Sequence, residues 1–162
     1  MIINGTVLGD REVVVRLRTL EDAVRVRVLA AVKGLTYELQ DRVVRTKLSG
    51  QVLKRRSGNL SQHIYAKVEE TANSVTGLVG TNVPYGRVHE YGYHGPQHVR
   101  AFTRVVNKIF GKPVNPTVQH VGAFTRNINI PARPFLRPSL EEMRETIHTR
   151  ITNAVKQAAR AI

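Results

Sequence analysis

Four side chains near the middle of the sequence could bind a metal ion: His89, Glu90, His94 and His98. Zinc peptidases place two histidines four residues apart on a helix, so that both imidazoles face one ion. His89 and His94 are five residues apart, which is about 140° around a helix at roughly 100° per residue, and Gly92 between them favours a helix end. The spacing therefore argues against a metal site, and we interpret the histidines as polar loop residues.

The sequence contains no other arrangement that is typical of an enzyme. It has no Gly-x-Ser-x-Gly motif and no phosphate-binding loop, and half of its carboxylates are in adjacent pairs. With no cysteine in 162 residues, a disulfide framework and thiolate chemistry are excluded. We therefore predict a protein that is not an enzyme and needs no cofactor.

The composition is strongly basic, with 25 Lys and Arg against 12 Asp and Glu and a formal net charge of +13. Such a charge indicates a polyanion as a neighbour. Three interpretations stay open: a generally cationic solvated surface, direct DNA or RNA contact, and proximity to nucleic acid inside an assembly. A basic triplet, Lys54, Arg55 and Arg56, lies in a stretch with two Ser-Gly pairs. This predicted loop is either solvated or DNA-facing, where flexible cations would contact phosphates.

The length of 162 residues is typical of about one domain with a core of its own. The longest apolar runs are only a few residues, too short to cross a membrane. The N-terminus shows no basic-then-apolar secretion signal. We expect the protein to act inside the cell that makes it, away from membranes.

Two long amphipathic helices are predicted near the ends of the chain, because apolar residues recur there every three or four positions. Thr19 is a plausible N-cap of the first. The second has two possible starts: Pro138 in the first turn, or Ser139 as N-cap of a capping box with Glu142. The apolar positions are Leu20, Val24, Val28, Val32, Leu35, Leu39 and Val43 in the first helix, and Leu140, Met143, Ile147, Ile151, Val155, Ala158 and Ile162 in the second.

The segment between the helices predicts strands first. Residues 61–71 and 74–81 are strand-like and are joined through Ala72-Asn73, so they predict a hairpin. Residues 83–92 have Pro near the start and Gly at the end, which favours one or two helical turns.

A near-repeat suggests a second hairpin. Residues 99–107 and 121–129 match at six positions, with an offset of 22. We interpret them as two arms joined by a turn at residues 111–116, with Phe110 opposite Pro116. This register sets Phe102 opposite Phe124 and Arg100 opposite Arg126, which makes one face aromatic and basic. The residues assigned to this face and its tip are Arg100, Phe102, Arg104, Phe110, Phe124 and Arg126.

Such a hairpin has two faces and cannot bury both in a small domain. Three roles stay open: docking on a neighbouring subunit, stacking of nucleic acid on the aromatic and basic face, or an ordinary edge hairpin. We favour docking, with the face and tip residues as a subunit interface.

Four short motifs follow one another along the chain. They are Ser-Gly-Asn-Leu-Ser at 57–61, Val-Gly-Thr at 79–81, Val-Pro-Tyr-Gly-Arg-Val-His-Glu-Tyr-Gly at 83–92 and Ala-Arg-Pro-Phe-Leu-Arg-Pro-Ser-Leu at 132–140. Their order and spacing resemble the tail-completion or head-tail joining proteins of tailed bacteriophages, which are related to tail terminators. The long hairpin falls between the last two motifs, where that family varies in length.

The resemblance implies an α+β subunit, in which a mostly antiparallel sheet of two hairpins is packed by the long N-terminal and C-terminal amphipathic helices. We predict a single domain over 1–162 with an inserted or protruding hairpin at about 97–130. The resemblance further implies a structural virion protein that forms a ring at the neck or tail top, with a hexamer as the first expectation. Its partners would be a head connector or adaptor and a tail-tube or tail-terminator protein, with non-specific contact with genomic DNA as an open alternative. It would reside in the virion and, during assembly, in the host cytoplasm.

In that interpretation the last two motifs form a structural junction. Phe135 and Leu136 would fill the space between the sheet and the last helix. Arg133 and Arg137 would either pair with carboxylates such as Glu90 or Glu69, or be solvated. The junction residues are Tyr85, Glu90, Tyr91, Arg133, Pro134, Phe135, Leu136 and Arg137.

A second function class remains open, namely a small basic nucleic-acid-binding protein. Such a protein would bind tightly as a monomer at physiological salt. Size measurement and a salt titration would distinguish it from a ring-forming subunit.

Overall fold

The structure, a computed structural model, describes residues 10–53 and 57–160, with side chains described from residue 14. Four α-helices are present in these residues, and a π-helical turn at Val43–Lys47 continues the first of them. The helices are α1 (Asp10–Arg42), α2 (Asn59–Gln62), α3 (Pro84–Tyr91) and α4 (Leu136–Arg160). None of the described helices is both long and apolar enough to cross a membrane.

Within the described part of the chain, six strands form three two-stranded antiparallel sheets, β1 with β2, β3 with β6 and β4 with β5. Long terminal helices with antiparallel hairpins between them confirm the predicted α+β class. The strands are β1 (Ile64–Glu70), β2 (Val75–Thr81), β3 (Tyr93–Val99), β4 (Phe102–Ile109), β5 (Lys112–Val121) and β6 (Phe124–Ile130).

The chain divides into two compact units. Unit 1 comprises Met1–Gly86 together with Pro134–Ile162, and unit 2 comprises Arg87–Arg133. Unit 1 therefore contains both long helices and the β1–β2 hairpin, while unit 2 contains the other four strands.

The apolar stripe of α1 and the π-helical turn is buried or half-buried along its whole length, as its spacing predicted. Leu35 and Val43 are buried and the other stripe positions are half-buried, whereas Arg25, Lys33 and Asp41 are exposed. The predicted N-cap is wrong, because α1 begins nine residues before Thr19. The Thr19 hydroxyl donates instead to the carbonyl oxygen of Val15, 2.9 Å away within the helix, as Thr does inside helices.

α1 lies directly on the first hairpin. Gln40 donates to the carbonyl oxygen of Ile64 at 2.7 Å, and the Arg25 Nε lies 2.7 Å from a Glu70 carboxylate oxygen. Gly77 permits this approach, because a Cβ there would lie 2.1 Å from the hydroxyl oxygen of Thr36. The hairpin itself has the predicted connection, with Thr71 and Ser74 bonded across the turn.

α4 starts earlier than the capping-box hypothesis requires. The helix begins at Leu136, so Pro138 lies in its first turn, where a missing N–H costs no intrahelical bond. Ser139 is not an N-cap. It is fully buried, and its hydroxyl donates to the carbonyl oxygen of Phe135 at 2.7 Å.

The buried face of α4 differs in part from the predicted stripe. Leu140 and Val155 are 48% and 40% exposed, and Ile162 lies outside the described residues. Ser139 and Ala154, which the predicted stripe did not include, are buried instead. The face toward the core contains Ser139, Met143, Ile147, Ile151, Ala154 and Ala158, each buried or half-buried.

Polar contacts tie α4 antiparallel to α1. Glu142 receives hydrogen bonds from Lys47 and, at 3.2 Å, from Arg42, and Arg150 pairs with Glu38 at 2.5 Å. The hydrogen bond from Lys47 lowers the pKa of the Glu142 carboxyl below its usual value, and Arg42 acts in the same direction. These contacts lie at the surface, so they set the register of the two helices more than their stability.

The centre of unit 1 is a cluster of buried apolar residues around Phe135. It contains Val43, Leu48, Leu53 and Ile64, with Leu136 among the half-buried residues packed against it. Phe135 is 0% exposed. Leu48 and Leu53 belong to a stretch that the composition predicted as a loop, so the loop contributes two core residues that periodicity did not detect.

The second hairpin has a different turn and register from those predicted. Phe110 and Gly111 form a two-residue turn with φ of 47° and 79°, as a type I′ turn requires. A bulge between Val106 and Lys108 then adds two residues to β5. With this turn and bulge, Phe102 pairs with Val121, not with Phe124, and Arg126 pairs with Gln97, not with Arg100. The predicted register would have placed two arginines directly opposite each other, which is unfavourable.

The truncation Phe135→Ala should lower the free energy of unfolding by about 3 to 5 kcal/mol, because it removes a fully buried aromatic side chain. Denaturant unfolding followed by circular dichroism measures the loss. Phe110→Ala is the matched control, since Phe110 is fully exposed and its truncation should change stability little. A loss below about 1 kcal/mol for Phe135→Ala would contradict the packing role.

The variant Glu142→Gln should be less stable than the parent at neutral pH and equally stable in acid. The lowered pKa of Glu142 means that its contribution is present above the ordinary carboxyl pKa and is lost as the pH falls through the lowered one. Stability curves between acid and neutral pH measure this difference. Glu145→Gln on the same helix should run parallel to the parent at every pH, and an equal effect of both variants would contradict the assignment.

Candidate interaction site: the hairpin ribbon of residues 93–130

The ribbon formed by strands β3 to β6 has an unusual charge composition. Residues 93–130 contain five basic side chains, three histidines and no Asp or Glu. Unit 1 instead mixes both signs and pairs them, as in Arg25 with Glu70 and Arg150 with Glu38. The five basic residues are Arg100, Arg104, Lys108, Lys112 and Arg126. The ribbon is thus a cationic element with no carboxylate of its own to neutralise it.

The tip half of the ribbon, β4 with β5, buries almost nothing. Val106 and Val121 are half-buried and every other residue of the two strands is exposed. Alternation along β4 places Val105 and Ile109 on one face, and Val118 pairs with Val105. These three side chains are at least half exposed, and Phe110 at the tip is fully exposed. One face is therefore an uncovered aliphatic surface, which we call the aliphatic face.

The opposite face of β4 and β5 is cationic and aromatic. Phe102, Arg104 and Lys108 alternate along it, and all three are exposed. A bulge lies between Val106 and Lys108, where β4 has one residue and β5 has three, 114–116. The two additional residues are on β5, so the alternation along β4 is intact.

The register shows that the repeat extends further than residues 99–107 and 121–129. Residues 97–104 and 119–126 both have the sequence Gln-His-Val-x-Ala-Phe-Thr-Arg, and we call them the two octads. The first position of one octad pairs with the eighth position of the other, the second with the seventh, and the third with the sixth. The observed pairs are Gln97 with Arg126, His98 with Thr125, Val99 with Phe124, Phe102 with Val121, Thr103 with His120 and Arg104 with Gln119.

Each kind of pair therefore occurs twice, with nearly the same geometry. The Arg104 Nε donates to the Gln119 Oε1 at 2.9 Å, and the Arg126 Nε donates to the Gln97 Oε1 at 2.8 Å. Phe102 and Phe124 are 44% and 43% exposed. The ribbon is built from two equivalent modules on either side of residues 100–101 and 122–123, which belong to no strand.

The histidines of the octads contact threonines. The His98 Nδ1 lies 2.8 Å from the Thr125 hydroxyl oxygen, and the His120 Nδ1 lies 3.0 Å from that of Thr103. Among the residues that the structure describes, no group of three or more His, Asp or Glu could hold a metal ion. These imidazoles therefore have a polar role within the ribbon.

The predicted interface residues are all on the ribbon, but not on one surface. Arg100 lies between β3 and β4 and is exposed. Phe110 is at the tip, while Phe124 and Arg126 belong to the β3–β6 sheet, separate from that of Phe102 and Arg104. The predicted DNA-facing loop, Lys54, Arg55 and Arg56, lies outside the described residues.

The predicted junction residues are found in different surroundings. Tyr85 and Tyr91 are exposed, with the Tyr85 hydroxyl accepting from Asn59 at 3.0 Å. Glu90 is buried, whereas the Glu69 carboxylate pairs with Lys67 at 2.7 Å. Around the core residues Phe135 and Leu136, Pro134 is half-buried, and Arg133 and Arg137 are exposed.

Sequence reasoning missed Gln97, Gln119 and His120, and it considered His98 only as a candidate metal ligand. It also missed the aliphatic pair Val105 and Val118. The signal for the first group was present, because extending the repeat by two residues includes Gln97, His98, Gln119 and His120. The aliphatic pair could not be found without the register. A three-residue error in the pairing moved Val118 away from Val105.

The fold and this surface define an α+β protein with a cationic hairpin that carries an uncovered aliphatic face. The phage virion morphogenesis family matches residues 12–158, from the first turn of α1 to the last turn of α4. The chain therefore belongs to this family, and the resemblance to proteins of tailed phages is confirmed. Its role is structural or in assembly, and it is associated with the virion. No curated protein and no solved structure matches the chain.

The substitution Gly111→Ala should destabilise the ribbon tip by about 1 kcal/mol, because φ is +79° there and a Cβ is strained in that region. The amide of Ile109 should then exchange with solvent faster by roughly fivefold. Gly122→Ala is the control, since a Cβ at Gly122 would meet open space and its φ is not in the strained region. Equal exchange rates in both variants would contradict the two-residue turn.

Proposed function

We propose that this protein is a structural subunit at the neck or tail top of a tailed-phage virion, where identical copies close into a ring that completes the tail or joins it to the head. A ring of six is the proposed size, from the resemblance to tail terminators. The ring would contact a head connector or adaptor on one side and a tail-tube or tail-terminator protein on the other. It performs this role by association, without a catalytic step.

The observation that carries the proposal is the nearly complete exposure of β4 and β5. A two-stranded sheet is marginally stable in water unless something packs on it. Exposed aliphatic patches on soluble proteins are typical of interaction sites. The aliphatic face of Val105, Ile109 and Val118, with Phe110 beyond it, therefore has the composition of a subunit contact.

The positive charge of the ribbon determines whether this subunit contact joins two ribbons or a ribbon and a different surface. Two ribbons would repel each other, because neither contains a carboxylate. The aliphatic face must therefore dock on a different surface of the next copy, which makes the contact heterologous. A heterologous contact closes into a ring when its rotation closes.

The variant Val118→Asp should abolish ring formation while leaving the monomer folded, because it places a charge on the aliphatic face at a side chain that is 58% exposed. Native mass spectrometry and electron microscopy give the subunit number, and circular dichroism reports the fold. Val155→Asp on α4, where the side chain is 40% exposed, is the matched control and should leave the ring intact.

A deletion tests the same surface independently. Residues 102–121 are replaced by Asn-Gly, a two-residue turn that suits a hairpin, so that β3 and β6 keep their pairing. The product should be a folded monomer. Rings of normal size from both altered proteins, or a parent protein that stays monomeric at every concentration, would refute the proposal.

A further inference from the structure

We propose that the ribbon of residues 93–130 is a binding site for duplex DNA, in which Arg104 and Arg126 contact the phosphate backbone as two equivalent groups. Arg104 lies on the face of β4 that is opposite to the aliphatic face, and Arg126 lies in the separate β3–β6 sheet. The proposal goes beyond ring formation. Contacts of this kind are blind to base sequence, because phosphates carry no sequence information.

The first argument is the distribution of charge. Residues 91–140 hold seven basic residues and no acidic one, whereas the rest of the chain holds the remaining 18 basic residues and all 12 acidic residues. A protein partner is commonly matched with charges of both signs. A continuous polyanion is repelled by every carboxylate near it, so the absence of carboxylates over fifty residues favours nucleic acid over an acidic protein.

The second argument is the way in which the arginines are held. In unit 1 the Arg45 Nε pairs with the carboxylate of Asp41 at 2.5 Å, which neutralises its charge. In the octads the Nε of Arg104 and Arg126 donates to the oxygen of a neutral glutamine. The glutamine fixes the guanidinium without cancelling its charge, so less side-chain entropy is lost when a phosphate binds.

The third argument is the shape and repetition of the site. A two-stranded antiparallel ribbon fits the DNA major groove, which is about 12 Å wide. Gln97 and Arg104, one from each Arg–Gln pair, are seven residues apart along the first arm, at most about 23 Å at 3.3 Å per residue. The two pairs lie in separate sheets, so each arginine would contact its own stretch of a polymer that presents the same phosphate group at regular intervals.

Each octad also carries an exposed phenylalanine two residues before its arginine, on the same face of its strand. Phe102 precedes Arg104, and Phe124 precedes Arg126. The apolar ring fills space beside the guanidinium and gives the DNA surface a contact that is independent of salt. This arrangement separates the octads from a plain run of lysines.

The test is binding of the assembled protein to a fluorescent 30-base-pair duplex, measured by anisotropy between 50 and 200 mM salt. Arg104→Ala and Arg126→Ala should weaken binding by the same factor, and each should reduce the slope of log affinity against log salt by about 1. Arg45→Ala and Arg144→Ala remove the same charge from exposed helix positions and should leave the slope unchanged. Native mass spectrometry of every variant shows whether the ring has kept its size.

The glutamines supply a readout that a merely structural role would not give. Gln119→Glu keeps the shape of the side chain and adds an ion pair with Arg104, so the free energy of unfolding should not fall. DNA affinity should fall as much as in Arg104→Ala, because the new carboxylate neutralises the guanidinium. Gln97→Glu should act in the same way through Arg126.

Four outcomes would overturn the proposal. The first is no binding to the duplex at 50 mM salt. The second is unequal loss in the two octad arginine variants. The third is an equal loss in the helix controls, which would indicate general charge only. The fourth is competition by poly-glutamate as strong as competition by DNA, which would assign the ribbon to an acidic protein. A ring that forms while DNA binding fails would leave the proposed function standing without this site.

Discussion

The pairing register of the long hairpin is the constraint on which the properties of the ribbon depend. It is set at the tip, where Phe110 and Gly111 both have positive φ and close the chain in two residues, and at the bulge between Val106 and Lys108, which adds two residues to β5. From there the register decides every cross-strand neighbour: arginine meets glutamine, phenylalanine meets valine, and histidine meets threonine. The register predicted from the sequence would have brought Arg100 against Arg126 and separated Val118 from Val105. The tip turn and the bulge together thus determine both surfaces of the ribbon.

The body of the protein follows a different principle. Unit 1 is organised by burial around Phe135, which joins the π-helical turn after α1, the loop leucines and β1 in one cluster. Its ion pairs lie on the surface between α1 and α4, where they set the alignment of two long helices. The same chain therefore contains a unit stabilised by a core and a ribbon whose tip half has none. This difference is what an assembly subunit needs, because stability and association then depend on different residues.

Much of the body could be predicted from the sequence because its signals are local. The stripe from Leu20 to Val43, the Pro and Gly that bound α3, and the turn at Ala72-Asn73 each act within a few residues. The start of α1 could not be predicted, since Val14, Val15 and Leu17 are exposed and add nothing to a buried stripe. The capping-box hypothesis failed because Ser139 bonds backward into a helix that had already begun.

The ribbon was predictable as a hairpin, but its register was not. Pro113 and Pro116 suggested the turn, yet both lie in β5. Proline is tolerated on an edge strand such as β5 because an N–H that faces outward is not needed for pairing. The decisive residue, Phe110, adopts a conformation that its type does not favour. The octads were only partly recognised, because their first two positions, Gln and His, come before residues 99–107 and 121–129, where the repeat is most evident. Subunit number, neck position and nucleic-acid contact are properties of surfaces that meet other molecules, so they remain proposals.

The pairing pattern of the octads would also allow two chains to exchange strands. Because position one matches position eight and position two matches position seven, an octad is complementary to any other copy of itself, including the same octad of a second molecule. Gln97 of one chain could face Arg104 of another with the chemistry that it now finds in Arg126. The two arms of one chain must therefore pair with each other before an arm of a second chain pairs with either of them. Closing the tight tip turn quickly, on the microsecond scale of hairpin formation, protects the chain from that exchange.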